Sequence, residues 1–279
     1  MRLLKAESIT PAIARMCVSA CRDLPLDVCG ALESARDSEP WPVARDVLHK
    51  LVQNYTLARE RGAPICQDTG VACVFVDIGR EVFIDGDLEA AIQAGVREGY
   101  QSGYLRKSVV GDPLRRQNTG DNTPAMIYYD FAAGDKLTLT VAPKGFGSEN
   151  MSRIAMLKPS DGVEGAVRFV LDAVEAAGPN PCPPIVVGVG LGGTFDKAAL
   201  SAKKALLRPL DSTHSDPYYA ELEARLLGEI NALGIGPQGY GGRTTALSVA
   251  IETLPTHIAG LPCAVNLNCH AARHVTEVL

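Results

Sequence analysis

Apolar residues recur every three or four positions along several stretches of the chain, and this spacing predicts amphipathic helices. Residues 11–21 and 162–177 both show it. Another helix is predicted with Ser38 as its N-cap and Pro42 in its first turn, running to about Arg61 before Gly and Pro end it. The same spacing predicts helices at 88–104, 196–207 and 217–233.

Short apolar runs between turn-forming residues predict strands. Residues 71–78 and 81–84 are predicted as two strands around a Gly-Arg turn, and residues 126–131 and 136–141 are predicted to pair with each other. Further strands are predicted at 185–187, 246–251 and 264–267. Because strands and helices do not alternate strictly, we expect an α/β fold of the mixed α+β kind. Mixed parallel and antiparallel sheets would be surrounded by helices.

Composition places the chain among folded globular proteins. Hydrophobic residues make up 46% and charged residues 21% of its 279 residues, which is enough to bury a sizeable core. A net charge of −5 and 5% aromatic residues argue against a nucleic-acid partner. Neither a membrane-spanning run nor a signal peptide is visible, so we expect no membrane association and a cytoplasmic location. In that compartment the eight cysteines are not expected to form disulfides.

A glycine run offers one candidate ligand site. Gly188, Gly190 and Gly193 fit the pattern G-x-G-x-x-G between a predicted strand and a predicted helix, as in dinucleotide-binding loops. The helix is followed by Arg-Pro-Leu-Asp instead of a second apolar strand ending in an acid, which weakens that interpretation. The alternative is a tight backbone turn near a helix N-terminus, which could hold a carboxylate.

The eight cysteines fall into two groups by their sequence context. Cys66, Cys182 and Cys269 each lie at an element boundary, beside turn-forming or polar residues. Three thiolates from such loops could bind one metal centre, although they lack the close C-x₂-C spacing of ferredoxins and zinc fingers. The others have apolar neighbours and are expected to pack in the core: Cys17, Cys21, Cys29, Cys73 and Cys263.

Four polar residues near these loops or in glycine-rich segments are candidates for chemistry. Asp68 follows Cys66 by two positions and could act as a general acid or base, or only stabilise a turn. His257 could hydrogen-bond a substrate or a buried carbonyl. Arg106 and Arg243 could bind a carboxylate with two parallel N–H groups, or remain solvated.

Five long segments together resemble the iron–sulfur, class I fumarate hydratases. More narrowly, the chain resembles the α subunit of their two-subunit form, a family shared with L-tartrate dehydratase. The segments are PICQDTG (64–70), YLRKSVVGDPLRRQNTGDNTP (104–124), APKGFGSENMSRIAMLKPSDG (142–162), CPPIVVGVGLGGTFDKA (182–198) and GPQGYGGRTTALSVAIETLPTHIAGLPCAVNLNCHAARH (236–274). We therefore expect one domain of this family over residues 1–279, with residues 1–63 as its helical N-terminal part.

The resemblance implies a [4Fe-4S] cluster with one open iron that acts as a Lewis acid. It carries the cluster ligands over to Cys66, Cys182 and Cys269. The catalytic residues it implies are Asp68 and His257, and the substrate-binding residues are Gln67, Arg106, Gly145 and Gly147. Phe146 stands where the family usually has a third glycine.

The reaction implied is the reversible hydration of fumarate to (S)-malate by a hydro-lyase of the tricarboxylic acid cycle. Dehydration of L(+)-tartrate to oxaloacetate is the alternative, and a dinucleotide-binding module is a third interpretation. Single-chain members of the family have a second domain that supplies further arginines, a lysine and a threonine proposed as the base. A separate β subunit is therefore expected to complete the site, in an α₂β₂ assembly.

Overall fold

The computed structural model describes residues 2–279, which divide into two compact units. The first unit comprises the chain up to Pro25, Tyr55–Phe146 and Arg273–Leu279, and the second comprises Leu26–Asn54 and Gly147–Ala272. In chain order the helices and strands are β1 (Arg2–Lys5), α1 (Ile9–Arg22), α2 (Leu26–Ser38), α3 (Pro42–Arg61), β2 (Val71–Gly79), β3 (Val82–Asp85), α4 (Leu88–Ser102), β4 (Met126–Ala132), β5 (Leu137–Lys144), α5 (Phe146–Glu149), β6 (Arg153–Leu157), α6 (Gly162–Ala177), β7 (Ile185–Gly193), α7 (Phe195–Ala205), α8 (Pro217–Ala232), β8 (Ala246–Thr256), β9 (Leu261–Asn268) and β10 (Val275–Val278).

A four-stranded sheet with the order β10-β5-β2-β4 forms the centre of the first unit. β2 pairs parallel with β4 and antiparallel with β5, and its first six residues are all buried. Helices α1 and α4 pack with this sheet in a core that includes Ile13, Ile92 and Leu139. β1 and β3 form a separate parallel pair.

Two strand pairings predicted from the sequence are wrong. The segments at 126–131 and 136–141 become β4 and β5, but β2 lies between them. The segments at 71–78 and 81–84 become β2 and β3, which belong to different sheets. Short connections favour pairing between sequence neighbours, but a strand as fully buried as β2 lies inside a sheet, with a partner on each edge.

The second unit contains a mixed sheet with the order β6-β9-β7-β8. β7 runs parallel to β8 and antiparallel to β9. Val187 and Val189 join a core shared with α6 and α8. Because side chains alternate across a strand, Gly188 and Gly190 lie on the opposite face, against α7.

The glycine run belongs to β7, so Gly188 and Gly190 lie in an extended strand, and the backbone departs from it only at Gly192 (φ 85°) and Gly193 (φ 70°), just before α7. A Cβ at Gly188 would lie 2.1 Å from the carbonyl oxygen of Ala202, and one at Gly190 would lie 2.1 Å from that of Ala198. Both carbonyls are on α7. The missing side chains let this helix approach the strand closely, so Gly188 and Gly190 serve helix–strand packing.

The predicted fold class is confirmed, because helices accompany sheets with both parallel and antiparallel pairs. The predicted cap at Ser38 is wrong, because Ser38 ends α2 and α3 begins at Pro42. α2 was not predicted, and it buries only Val28, Cys29 and Leu32. Between residues 2 and 279, no helix combines the length and the apolar character that a membrane crossing requires.

Candidate active site

The segment from Pro64 to Gly70, here called the 64–70 loop, precedes β2 in the first unit. Gly70 has a φ of 74°, and a Cβ there would lie 2.7 Å from backbone atoms of Lys144 on β5. The hydroxyl of Tyr100 on α4 lies 2.8 Å from the carbonyl oxygen of Thr69 and 3.1 Å from that of Gly70. Contacts with β5 and α4 therefore fix the end of the loop.

Asn122 connects the 64–70 loop to the polar segment after α4. Its side chain is fully buried. The Oδ1 atom accepts hydrogen bonds from the N–H groups of Ser108 (2.6 Å) and Val109 (3.2 Å), and the Nδ2 atom donates to the carbonyl of Gly70 (3.2 Å). One amide therefore satisfies backbone groups of two segments.

Arg106 is placed beside the 64–70 loop through its backbone. The hydroxyl of Thr69 donates to the carbonyl of Arg106 at 3.1 Å. The Arg106 side chain is exposed and forms no ion pair with any residue in the range 2–279. Gln67 is exposed as well. Both side chains are therefore available to a ligand.

Asp68 accepts a backbone hydrogen bond on each carboxylate oxygen. Oδ1 accepts from the N–H of Gly70 and Oδ2 accepts from the N–H of Phe146, each at 3.0 Å. The N–H of Asp68 lies 3.4 Å from the Sγ atom of Cys66. Asp68 therefore stabilises a turn and joins the 64–70 loop to the segment that carries Gly145. The first unit brings together Cys66, Gln67, Asp68, Arg106 and Gly145.

Cys182 and Cys269 lie at one end of the sheet in the second unit. Cys182 precedes β7 and Cys269 follows β9, which is antiparallel to β7. The N–H of His270 donates to the carbonyl of Cys182 at 3.3 Å. The structure thus makes the loops of these two predicted ligands direct neighbours.

Gln238, which was not predicted to be functional, bridges these two cysteine loops. Its backbone N–H and its Nε2 atom both donate to the carbonyl of Pro183, at 2.7 and 2.8 Å. The Nε2 atom also lies 3.2 Å from Nδ1 of His270, and that Nδ1 lies 3.1 Å from the carbonyl oxygen of Cys182. Its place in the segment GPQGYGG was the one available sequence signal.

Glu39 holds the glycine-rich segment that follows Gln238, a role that no motif or spacing indicated. Glu39 is buried, with only 2% of its surface exposed. The carboxylate accepts hydrogen bonds from the N–H groups of Arg243 and Thr244 and from the Thr244 hydroxyl. Burial acts to raise the pKa of Glu39, but these bonds and one from the N–H of Trp41 outweigh it, so the pKa lies below its usual value.

The structure does not place His257 with Cys182 and Cys269. His257 is exposed in the turn between β8 and β9, at the other end of β7. The nine residues of β7 separate this turn from Cys182, a distance of roughly 25–30 Å at about 3.3 Å per residue. The role of His257 stays a prediction, and so does that of Gly147.

Thiol exposure separates the cysteines into the two groups that their sequence context indicated. Cys182 is exposed, Cys66 and Cys269 are half-buried, and the other five are buried. Burial raises the pKa of Cys21 to about 11 and that of Cys263 to about 12, so these thiols stay protonated. The predicted core packing of the five is confirmed. Over residues 2–279, no three His, Cys, Asp or Glu side chains already form a group that could hold a metal ion.

Comparison with known proteins gives consistent matches over nearly the whole chain. A family model described as Fumarate hydratase (Fumerase) matches residues 10–278. A protein of Methanocaldococcus jannaschii with the name "Putative L(+)-tartrate dehydratase subunit alpha" is 42% identical over 276 residues, which cover 96% of each chain. The L(+)-tartrate dehydratase subunit alpha of Escherichia coli strain UTI89 is 33% identical over 271 residues, covering 96% of this chain and 89% of the relative.

Proposed function

We propose, because the chain belongs to the fumarate hydratase (fumerase) family, that it is the α subunit of a two-subunit hydro-lyase acting on a 2-hydroxydicarboxylate. Family membership itself makes the chain a hydro-lyase component. The observation that carries the finer proposal is the match along 96% of the chain to proteins named as α subunits of such an enzyme.

L(+)-tartrate is the first candidate substrate, with oxaloacetate as the product. Its support is that the relatives described above are named tartrate dehydratases. Reversible hydration of fumarate to (S)-malate is the second candidate, favoured by the description of the family model. Tartrate differs from malate by one hydroxyl group. One additional hydrogen-bond partner in the assembled site can therefore decide between the two substrates.

The donor set of the chain fits a [4Fe-4S] cluster held by Cys66, Cys182 and Cys269. These are the three cysteines that are not buried, and thiolate sulfur is the usual protein ligand of such clusters. The N–H of Asp68 is directed at the sulfur of Cys66, a kind of hydrogen bond that tunes such clusters. A cluster bound by three cysteines supplies an open iron that serves as a Lewis acid toward a substrate oxygen.

In this proposal Arg106 binds one carboxylate of the substrate, because its guanidinium is exposed while its backbone is fixed by Thr69. Asp68 acts as the acid–base group. Each of its carboxylate oxygens accepts one backbone N–H and keeps a lone pair for a water molecule or a substrate proton. The further substrate contacts implied by the motifs are Gln67, Gly145 and Gly147. A catalytic role for His257 is implied by the motifs alone, because His257 lies at the opposite end of β7 from Cys182.

A β subunit supplies the other half of the active site. The name "subunit alpha" given to the relatives supports such a partner. A dicarboxylate has two charged ends to hold, and catalysis depends on orienting it accurately. Arg106 accounts for one of these ends. We expect an α₂β₂ assembly in the cytoplasm, because closed symmetric oligomers are the usual arrangement.

The test is to prepare the chain anaerobically, with and without its β subunit, and to supply iron and sulfide. Elimination of water from L(+)-tartrate and from (S)-malate is then measured. We expect activity in the complex alone, with the higher kcat/KM for tartrate. A higher kcat/KM for malate would reverse the order of the two substrates. Full activity of the isolated chain, or no elimination from either substrate by the complex, would contradict the proposal.

A further inference from the structure

Arg273 is a buried cation with most of its hydrogen-bonding capacity unused. The residue is 5% exposed and belongs to the first unit. Its Nη2 atom donates to the backbone carbonyl of Asp68 in the 64–70 loop. Its Nε and Nη1 atoms are buried and have no hydrogen-bond partner in the part of the chain that the structure describes.

Arg273 also has no carboxylate partner among residues 2–279. A guanidinium cannot lose its proton in a protein, and burying an unpaired charge is strongly unfavourable. By contrast, the half-buried Arg208 of the second unit has a carboxylate partner, because it donates to the buried Glu223 at 2.6 Å. An anion that is absent from the isolated chain is therefore expected at Arg273.

The position of Arg273 indicates which anion this is. It holds the carbonyl of Asp68, the residue whose N–H is directed at the sulfur of Cys66. The buried thiol of Cys21 lies under the same loop, 3.7 Å from the carbonyl oxygen of Thr69. Arg273 thus belongs to the immediate surroundings of a proposed cluster ligand.

We infer that Arg273 is a positioning and charge-balancing residue for the cluster, holding the 64–70 loop in place and directing its free N–H groups to cluster sulfur. This inference rests on the proposed function, since it requires the cluster. Positive charge and hydrogen bonds to sulfur both raise the reduction potential of an iron–sulfur centre. They also stabilise the metal site, as outer hydrogen-bond partners commonly do.

The experiment compares Arg273→Gln with the wild type in the complete complex with the β subunit, after anaerobic reconstitution. Two quantities are measured besides activity: the reduction potential of the cluster and the rate of iron release to a chelator. We expect the variant to have a lower potential and about tenfold faster iron release, the scale found when a hydrogen-bond partner of a metal ligand is removed. Arg273→Lys keeps the charge but not the planar, five-donor geometry of the guanidinium. The Arg273→Lys variant should have a reduction potential close to that of the wild type. Its iron release should remain faster than that of the wild type, though slower than that of Arg273→Gln.

Arg22→Gln is the matched control. Arg22 also donates one Nη2 hydrogen bond to a backbone carbonyl, that of Gly103, and its buried Nε likewise has no hydrogen-bond partner among residues 2–279. Its replacement should leave the potential and the iron release close to those of the wild type. If Arg273→Gln does not fold, the iron-release rate of Arg273→Lys decides, and a wild-type rate would overturn the inference.

Two other outcomes separate the inference from the proposed function. A wild-type potential and release rate in Arg273→Gln, with an increased KM for the dicarboxylate, would assign Arg273 to the substrate and overturn its role at the cluster. A wild-type complex that takes up no iron and sulfide would overturn the proposed cofactor itself, before any variant is compared.

Discussion

The two units hold their cysteine loops by different means. In the first unit, buried side chains from outside the 64–70 loop reach its backbone carbonyls: Tyr100, Asn122 and Arg273. In the second unit, the loops of Cys182 and Cys269 are joined to each other through His270 and Gln238, which are not fully buried. The glycine-rich segment of Gln238 is in turn held by Glu39.

This difference has an energetic consequence. Hydrogen bonds made by buried groups are costly to lose, because the abandoned partner cannot turn to water. Bonds near the surface are cheaper to lose, because water replaces them. We therefore expect the Cys66 loop to depend on the core of its unit, and the Cys182 and Cys269 loops to depend on a few polar contacts near the surface.

Replacement of the proposed cluster ligands should have the largest effect, and this effect should be the same for ligands in either unit. Cys66→Ser, Cys182→Ser or Cys269→Ser should each abolish cluster assembly, because thiolates are the protein ligands of such clusters. Iron and sulfide content after anaerobic reconstitution is the measurement.

The buried thiols of Cys17 and Cys73 provide the control for this prediction. Cys17→Ser and Cys73→Ser should still take up the full cluster, even if they lower stability. A normal iron content in Cys182→Ser would remove Cys182 from the ligand set.

Glu39→Gln should have the next largest effect, on the stability of the second unit. The variant loses the charge that accepts hydrogen bonds from Arg243, Thr244 and Trp41. We expect the free energy of unfolding at pH 7 to fall by about 1.5–3 kcal/mol, the range for hydrogen bonds to a charged group. Chemical denaturation measures it. Glu60→Gln, at an exposed site on α3, should change little.

The effect of Glu39→Gln should also depend on pH. The pKa of Glu39 in the folded chain is below its usual value of 4.5. The stabilisation is therefore fully present above about pH 4.5, and it is lost as the pH falls through the lower pKa of the folded state. The stability difference between wild type and variant should shrink over that acidic range. A difference that stays constant down to full protonation would contradict the role of the carboxylate charge.

Arg106→Lys tests the exposed cation that the first unit places beside its loop. Lysine keeps the charge but cannot form the two parallel bonds that a carboxylate accepts from arginine. We expect kcat/KM of the complex to fall by an amount equal to about 1.5–3 kcal/mol of transition-state binding. Arg115 is exposed in the same segment, and Arg115→Lys should leave kcat/KM unchanged. An unchanged kcat/KM in Arg106→Lys would exclude Arg106 from substrate binding.

Most helices could be predicted from the sequence, whereas α2, the sheet order and the supporting contacts could not. Helical periodicity is local, so segments such as 162–177 were found almost to the residue. Strand pairing depends on which strand is buried on both faces, as β2 is, and sequence spacing does not record that. The glycines of β7 fit a ligand-binding pattern equally well, although their role is to accommodate α7.

The supporting residues of the candidate site escaped prediction for a related reason. Glu39 and Arg243 are 204 residues apart in the chain, and Asp68 and Arg273 are 205 apart. In each case a side chain bonds to backbone atoms. Every residue has backbone N–H or carbonyl groups. A side chain that bonds to the backbone therefore needs no particular residue type as its partner, and sequence analysis cannot recognise the contact.

Tyr100→Phe tests the buried support of the Cys66 loop. The change removes one hydroxyl group and leaves the carbonyls of Thr69 and Gly70 without it. We expect the free energy of unfolding to fall by about 1–2 kcal/mol, since the buried carbonyl of Thr69 loses its hydroxyl partner and keeps only the long contact to the thiol of Cys21. Tyr104→Phe is the control, because Tyr104 is 90% exposed. Equal effects of the two changes would show that the loop does not depend on the buried hydroxyl.

Gln238→Ala tests the near-surface support of the Cys182 and Cys269 loops and should have the smallest effect on stability. The amide donates to the carbonyl of Pro183, which is buried, and lies within hydrogen-bond distance of His270, but Gln238 and His270 are themselves half-buried and within reach of water. We expect a loss of about 0.5–1.5 kcal/mol in the free energy of unfolding, the range for an ordinary hydrogen bond. Iron release from the reconstituted complex should nevertheless accelerate, because the two cysteine loops lose the bridge between them. Gln53→Ala, exposed on α3 in the same unit, should change neither quantity.

If Gln238→Ala instead costs more stability than Tyr100→Phe, the proposed contrast between core support and surface support is wrong. Wild-type iron release in Gln238→Ala would show that the bridge is not needed to hold the cluster.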